Sequence, residues 1–365
     1  ERAKNAVKDL MYLTLLVSIL LSLSFIGFKE PLLRLIYGES EEAVIASALD
    51  YALPILISLP FLASQSSLNA ILRVQGKTKT TMWTSIIANI INVVGNAIFI
   101  LVFDMGALGV GISTLISRII SALILFFASR NKGLQAPLEK ILQFRHQGNM
   151  MGTIFSIALP SGIENSIFQL GKIVMIATIA QCGTSSMAAF SVLDNIGTFS
   201  NITGQAAGQT LMVVGGYAAG AGRFDESRRL TKDFLAIAYA SMAILAVIIL
   251  VFLKPIISIY SFSQETADLS YRILFEYMFW STIVWPSSFA FPNILKCSGD
   301  VKYTMLVAIL SMWLFRVFIA RVLGIYMGFG IVGVMWGMYI DWVVRAIAFL
   351  IRYKSGVWTE KRIKE

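Results

Sequence analysis

Residues 71–82 read Ile71-Leu-Arg-Val-Gln-Gly-Lys-Thr-Lys-Thr-Thr-Met82, and residues 294–305 read Ile294-Leu-Lys-Cys-Ser-Gly-Asp-Val-Lys-Tyr-Thr-Met305. Six of the twelve positions are identical, among them Gly76/Gly299 and Lys79/Lys302. Each copy is a polar loop that joins two long apolar runs. Apolar runs resemble one another by composition alone, but a matched polar loop does not. The spacing predicts a chain built from a duplicated membrane unit, and a repeat of this length governs the reading of everything around it.

Composition agrees. The 365 residues are 57% hydrophobic and 14% charged, with a mean hydropathy of +0.74. Soluble domains carry about 25% charged residues, and a chain this apolar could not cover a water-facing surface. The net charge of +9 sits in short clusters between apolar runs. That pattern reads as membrane topology rather than as a nucleic-acid patch, so no nucleic-acid partner is expected.

Further matches extend the repeat at an offset of 224. Lys8-Asp9 pairs with Lys232-Asp233, Pro31 with Pro255 and Glu41 with Glu265. Glu1 then aligns with Asp225, and the second copy has two more apolar spans ahead of that point. The expectation is that two N-terminal helices of the first copy are absent from this sequence. No cleavable signal is read, because the charged first residues lead into a full-length span.

Ten windows approach the roughly 20 apolar residues that a spanning helix needs: 9–28, 48–72, 80–103, 107–129, 151–180, 186–218, 232–253, 268–295, 303–325 and 331–352. Open sheets cannot sit in lipid, so the expected fold is an all-α membrane protein, a two-lobe duplicated helical bundle. The expected divisions are 1–130 for the rest of the N-lobe, 131–150 for a linker, 151–355 for the C-lobe and 356–365 for a tail. Lys and Arg cluster before the first span and after every second one, whereas the intervening loops carry Glu39, Glu41, Glu42 and Glu265. Basic loops lie inside, which predicts a multi-pass protein of the plasma (inner) membrane with both termini cytoplasmic. Cys182 and Cys297 then fall on opposite faces, and no disulfide is expected. His146, the one histidine, sits in the linker, so neither a metal site nor a histidine proton relay is expected.

Pro54, Pro60, Pro160, Pro286 and Pro292 fall inside spans, where each removes a backbone donor and bends its helix. Such breaks mark either moving and binding helices or kinks used for packing. Ionisable groups at membrane depth are functional candidates by default. Glu164, four residues after Pro160, and Asp194 on the next span lead the set, both placed in the outer halves of their spans and able to face one cavity. They could bind a proton or cation; alternatively Lys172 pairs with one of them. Asn165, Gln169 and Gln205 are their polar neighbours. Asp341 and Arg345 are spaced i, i+4 and read as a mutual salt bridge, as do Arg272 and Glu276. Arg316 and Arg118 bridge helices or meet carbonyls, with a substrate role as the other reading. The first repeat carries amides instead: Asn69, Asn92 and Asn96, which either bond across helices or ligate a cation. Gly204, Gly208 and Gly215 form a small-residue face. No Gly-x-x-x-x-Gly-Lys-Ser/Thr occurs, so transport would draw on an ion gradient and no cofactor or enzymatic site is expected.

Several stretches resemble the MATE (multidrug and toxic compound extrusion) transporters. They are Asn69-Ala-Ile-Leu-Arg-Val-Gln-Gly-Lys-Thr-Lys, Asn92-Val-Val-Gly-Asn, Gly106-Ala-Leu-Gly-Val-Gly-Ile-Ser, Ala158-Leu-Pro-Ser-Gly-Ile-Glu and Gly220-Ala-Gly-Arg. The resemblance implies twelve helices in two lobes, of which this chain supplies ten. It implies efflux of organic-cation or drug-like molecules coupled to Na⁺ or H⁺, working as a monomer in the bilayer. It also implies that Asn69 and Asn92 belong to an N-lobe site, with Asn96 standing where some members have Asp, and that Glu164 resembles a C-lobe carboxylate. The rival within the same superfamily is a lipid-linked oligosaccharide flippase, for which Arg118, Arg316 and Arg345 would meet a pyrophosphate.

Overall fold

The computed structural model describes residues 2–37, 42–138 and 148–360. All regular structure among them is helical: α1 (Arg2–Tyr37), α2 (Glu42–Ile57), α3 (Leu59–Val74), α4 (Thr78–Ala97), α5 (Gly106–Ser129), α6 (Gly148–Gln181), α7 (Thr184–Gly220), α8 (Phe224–Val251), α9 (Leu253–Ser258), α10 (Gln264–Trp285), α11 (Pro292–Cys297), α12 (Val301–Ser311), α13 (Gly330–Lys354) and α14 (Val357–Glu360). Four π-helical stretches extend or join them: Ile98–Val102, Pro286–Ala290, Met312–Ile319 and Val322–Tyr326.

All ten apolar windows are helical. Among the described residues, seven helices are long and apolar enough to cross a membrane, and α2 with α3, bent by 44°, makes an eighth. The other two windows, α7 and α10–α11, are not among them, and for α7 the residues give a physical reason. The buried face of α7 is largely small or polar, with Ser200, Asn201, Gly204, Ala207, Gly208 and Gly215, which suits close packing rather than lipid.

The chain divides into two compact units, Glu1–Phe155 and Ser156–Glu365, so the division falls inside α6. The start of the expected linker belongs to the first unit. Leu134 and Leu138 pack with Leu68, Ile71, Leu72 and Leu125. Gln75 brackets Ala136, its Oε1 accepting from Ala136 N at 2.9 Å and its Nε2 donating to Ala136 O at 3.2 Å. The remainder of the linker, 139–147, with His146, lies outside the described residues. The expected tail begins with a docked turn. Trp358 is fully buried, stacks on Tyr353 at 5.1 Å, meets Phe224 edge-on and donates Nε1 to Tyr353 O at 3.0 Å.

The bend between α2 and α3 follows from Pro60. Proline has no N–H, so the carbonyl four residues back, that of Leu56, loses its helical donor. Ser22 of α1 supplies one, Oγ to Leu56 O at 2.7 Å. Fully buried Ser58 sits at the bend, donates to Ile55 O and accepts from Arg118 Nη1 at 2.5 Å. Arg118 thus bridges α5 to the break, as its position suggested.

The repeat is visible in the hydrogen bonds of the two loops. Gly76 N donates to Arg73 O and Lys77 N to Leu72 O, at 3.0 and 2.8 Å; Gly299 N donates to Lys296 O and Asp300 N to Leu295 O, at 3.1 and 2.9 Å. Gly76 and Gly299 have φ of +75° and +95°, the left-handed helix-ending conformation that glycine favours. The far ends match as well. Phe103 N bonds to Ile98 O and Met327 N to Val322 O, followed by Gly106 and Gly330 at φ +51° and +59°. The near loops match at an offset of 223 and the far turns at 224. The second copy therefore carries one extra residue between them. Where α4 runs as unbroken α-helix, the second copy has the eight-residue π-helical run Met312–Ile319. An i→i−5 bond encloses one more residue than an i→i−4 bond, so the π run absorbs the insertion.

Two outcomes follow. A Cβ at Gly76 would meet nothing within 4 Å, so Gly76→Ala should cost only the backbone penalty of about 1–2 kcal/mol, read as a small fall in thermal stability in detergent, with Gly76→Asn milder. Trp358→Ala should cost about 3 kcal/mol and expose the chain after Lys354 to limited proteolysis; unchanged cleavage would mean that the docked turn contributes nothing.

Candidate functional site

The second unit concentrates charge at membrane depth. Its most buried group is a triad of Asp341 (0% exposed), Arg345 (3%) and Arg316 (4%). Asp341 and Arg345 lie one turn apart on α13, and Arg345 donates Nε to Asp341 Oδ1 at 2.8 Å and Nη2 to Ala308 O at 3.0 Å. Arg316 comes from the π-helical run. Its Nε is ion-paired to Asp341 Oδ2 at 3.0 Å, and its Nη2 is buried with no hydrogen-bond partner. The mutual salt bridge of Asp341 and Arg345 is present, and Arg316 joins it.

Aromatic rings enclose the triad. The Phe168 ring of α6 lies 5.3 Å from both guanidinium carbons. Phe289 faces Arg345 at 5.3 Å and Trp342 faces Arg316 at 5.9 Å. Tyr277 packs edge-on against Trp342 and accepts from Asn201 at 2.7 Å. Desolvated cation–π contacts of this kind stabilise a guanidinium from its face.

Glu164 has a different partner from the expected one. Lys296 donates to its Oε1 at 2.8 Å, with side-chain exposures of 18% and 15%, while Glu164 Oε2 is buried and unbonded. Lys296 stands on α11, three residues before Gly299. Glu164 therefore reaches the loop end of its neighbour rather than the same half as Asp194. Asp194 is half-exposed and pairs with Lys172 at 3.4 Å. Lys172 is eight residues beyond Glu164 on α6, a rise of about 12 Å. Each carboxylate has its own lysine.

The remaining candidates scatter. Asn165, Gln169 and Gln205 are exposed, and Asn165 bonds to Ser161 O on its own helix. In the first unit, Asn92 Nδ2 donates to Thr114 Oγ1 at 3.2 Å, Ser113 Oγ donates to Asn92 O at 2.8 Å, and Asn96 Nδ2 reaches Asn92 Oδ1 at 3.4 Å. The first two bonds tie α4 to α5, and the third lies within α4. Buried Oδ1 atoms of Asn69 and Asn96 have no hydrogen-bond partner. Arg272 and Glu276 pair as their spacing indicated. Sequence reasoning passed over Lys296, which reads as a loop base, and Phe168, one of 24 phenylalanines. The repeat carried a signal for Lys296, because it aligns with Arg73.

Comparison with known proteins fits this architecture. The family model MatE matches residues 1–98 and 160–322. The chain is 24% identical to the probable multidrug resistance protein YoeA of Bacillus subtilis (strain 168), over all of this chain and 79% of that protein. It is 28% identical to the uncharacterized transporter YisQ of the same organism, over 80% of this chain and 65% of the relative. An outward-facing multidrug resistance MATE family transporter of the MOP superfamily superposes with a TM-score of 0.87 at 18% identity, over 98% of this chain and 80% of that one. With a duplicated helical bundle, a matched family model over most of its length and transporters as relatives, the chain belongs to the MATE family of membrane transporters.

Proposed function

We propose that this chain forms the transport body of a multidrug efflux antiporter, exchanging organic cations or drug-like amphiphiles for Na⁺ or H⁺ across the plasma membrane. The observation that carries the reading is the Glu164–Lys296 pair. A largely buried ion pair contributes little net stability over well-packed apolar side chains, and ionisable groups at membrane depth are costly. A static bundle gains nothing from one, whereas a transporter gains a contact that can be opened. The pair links α6, which contains Pro160, to α11, which begins at Pro292.

The coupling cation competes with Lys296 for Glu164. When a proton or Na⁺ neutralises the carboxylate, the ammonium is released and α6 is free to move against α11, which changes access to the substrate. Relatives named as multidrug resistance proteins support drug-like substrates. The basic loops support cytoplasmic ends for both termini. The flippase reading has no counterpart in these relatives, and the arginines that motivated it are gathered around Asp341 and Ser58 instead.

Counterflow in proteoliposomes tests this. Glu164→Gln should lower ion-driven efflux of an organic-cation dye by about tenfold or more, since the coupled step is lost. Lys296→Gln should keep efflux and reach half-maximal rate at a lower Na⁺ or H⁺ concentration, because the internal competitor is gone. Normal ion-coupled efflux in Glu164→Gln would refute the assignment.

A further inference from the structure

We propose that Arg316 is an anion-binding position lidded by Phe168. It takes a monovalent anionic group, either the carboxylate of an aromatic amphiphile or a free anion of chloride size. This site is separate from Glu164 and Lys296 and does not depend on their role.

The first ground is charge. Two guanidiniums share one carboxylate, and all three groups are at most 4% exposed, which leaves one positive charge in excess inside the second unit. The second is hydrogen bonding. Arg345 directs Nε to Asp341 and Nη2 to Ala308 O, whereas Arg316 has its Nε paired with Asp341 Oδ2 and a buried Nη2 without an acceptor. Buried ionic donors without acceptors are strongly unfavourable, and an anion is the ligand that answers both the charge and the open donor edge. The cation–π contacts answer neither, because they use the guanidinium face and leave its N–H edge.

The third ground is access. Phe168 covers both guanidiniums at 5.3 Å yet is only half-buried, with exposed Asn165 and Gln169 on either side of it along α6. Phe168 therefore lies between the exposed side of α6 and the arginines. Phe289 and Trp342, packed edge-to-face beside the triad, would hold the aromatic body of a ligand whose carboxylate meets Arg316 in a charge-assisted bond. The fourth ground is the inserted residue. The second copy departs from the repeat within the π-helical run Met312–Ile319, and that run presents Arg316. Such π-helical insertions recur at functional sites.

Calorimetric titration of the purified protein with sodium benzoate and with sodium chloride, at constant ionic strength, decides the matter. Saturable benzoate binding in the native protein, weakened about tenfold or more by Arg316→Gln and strengthened by Phe168→Ala, is the expected result. Benzoate without chloride binding identifies an organic carboxylate; binding of both identifies an inorganic anion site. Arg316→Gln leaves Asp341 paired one-to-one with Arg345, so the fold should hold, and its thermal unfolding checks this. If that variant does not fold, Phe168→Ala decides alone. Unchanged binding in folded Arg316→Gln, no binding in either native protein or Phe168→Ala, or weaker binding in Phe168→Ala would each overturn the proposal.

Discussion

No water reaches a helix backbone at membrane depth, so every group that proline frees and every charge a span carries must be answered by another side chain. This constraint shapes both units. Ser22 answers the Leu56 carbonyl freed by Pro60, and Arg118 fixes the serine at the resulting bend. In the second unit the carboxylates Glu164, Asp194, Glu276 and Asp341 each face a lysine or arginine on the same or a neighbouring helix. Charge here is internal wiring rather than surface. Among the described residues the answer is incomplete at several buried atoms, including one oxygen of Glu164 and the Nη2 of Arg316.

Much of the fold was legible because its signals are strong and repeated. Long apolar runs can only be helices in lipid, and all ten windows proved helical. The polar loop at 71–82 announced the duplication, and the two copies share their loop hydrogen bonds, not only their letters. What was not legible is how the ends are secured. The linker's first residues look like a spacer in sequence, yet Gln75 grips Ala136 from 61 residues away. The tail looks like a charged end, yet it carries a tryptophan that finishes a core. Both depend on long-range contacts that composition does not encode.

The site was legible by residue type but not by partnership. Helical spacing fixed Asp341 with Arg345, because i, i+4 neighbours must meet. It could not bring Arg316 to them, since that needs the packing of a different helix. Glu164 and Asp194 were placed together because their spans are adjacent, but two turns of α6 separate their levels and each meets its own lysine. Lys296 was hidden by position: a base beside a loop glycine reads as topology, although its long stem lets it reach back along the bundle.

The single residue gained by the second copy has a consequence for how such a molecule diversifies. Adding one residue to an α-helix turns everything beyond it by about 100°, which would misface every later side chain. Held in a π run, the addition is contained. The turn at Val322–Tyr326 keeps the same bonds as Ile98–Val102, and Gly330 keeps the conformation of Gly106. Counting back from those turns, Arg316, Asp341 and Arg345 stand where the first copy has Asn92, Ser117 and Ser121. The three ionic positions of the triad in the second copy thus correspond to neutral residues in the first, although both copies keep the same turns. A local slip in helical phase is thereby kept from disturbing the turns beyond it.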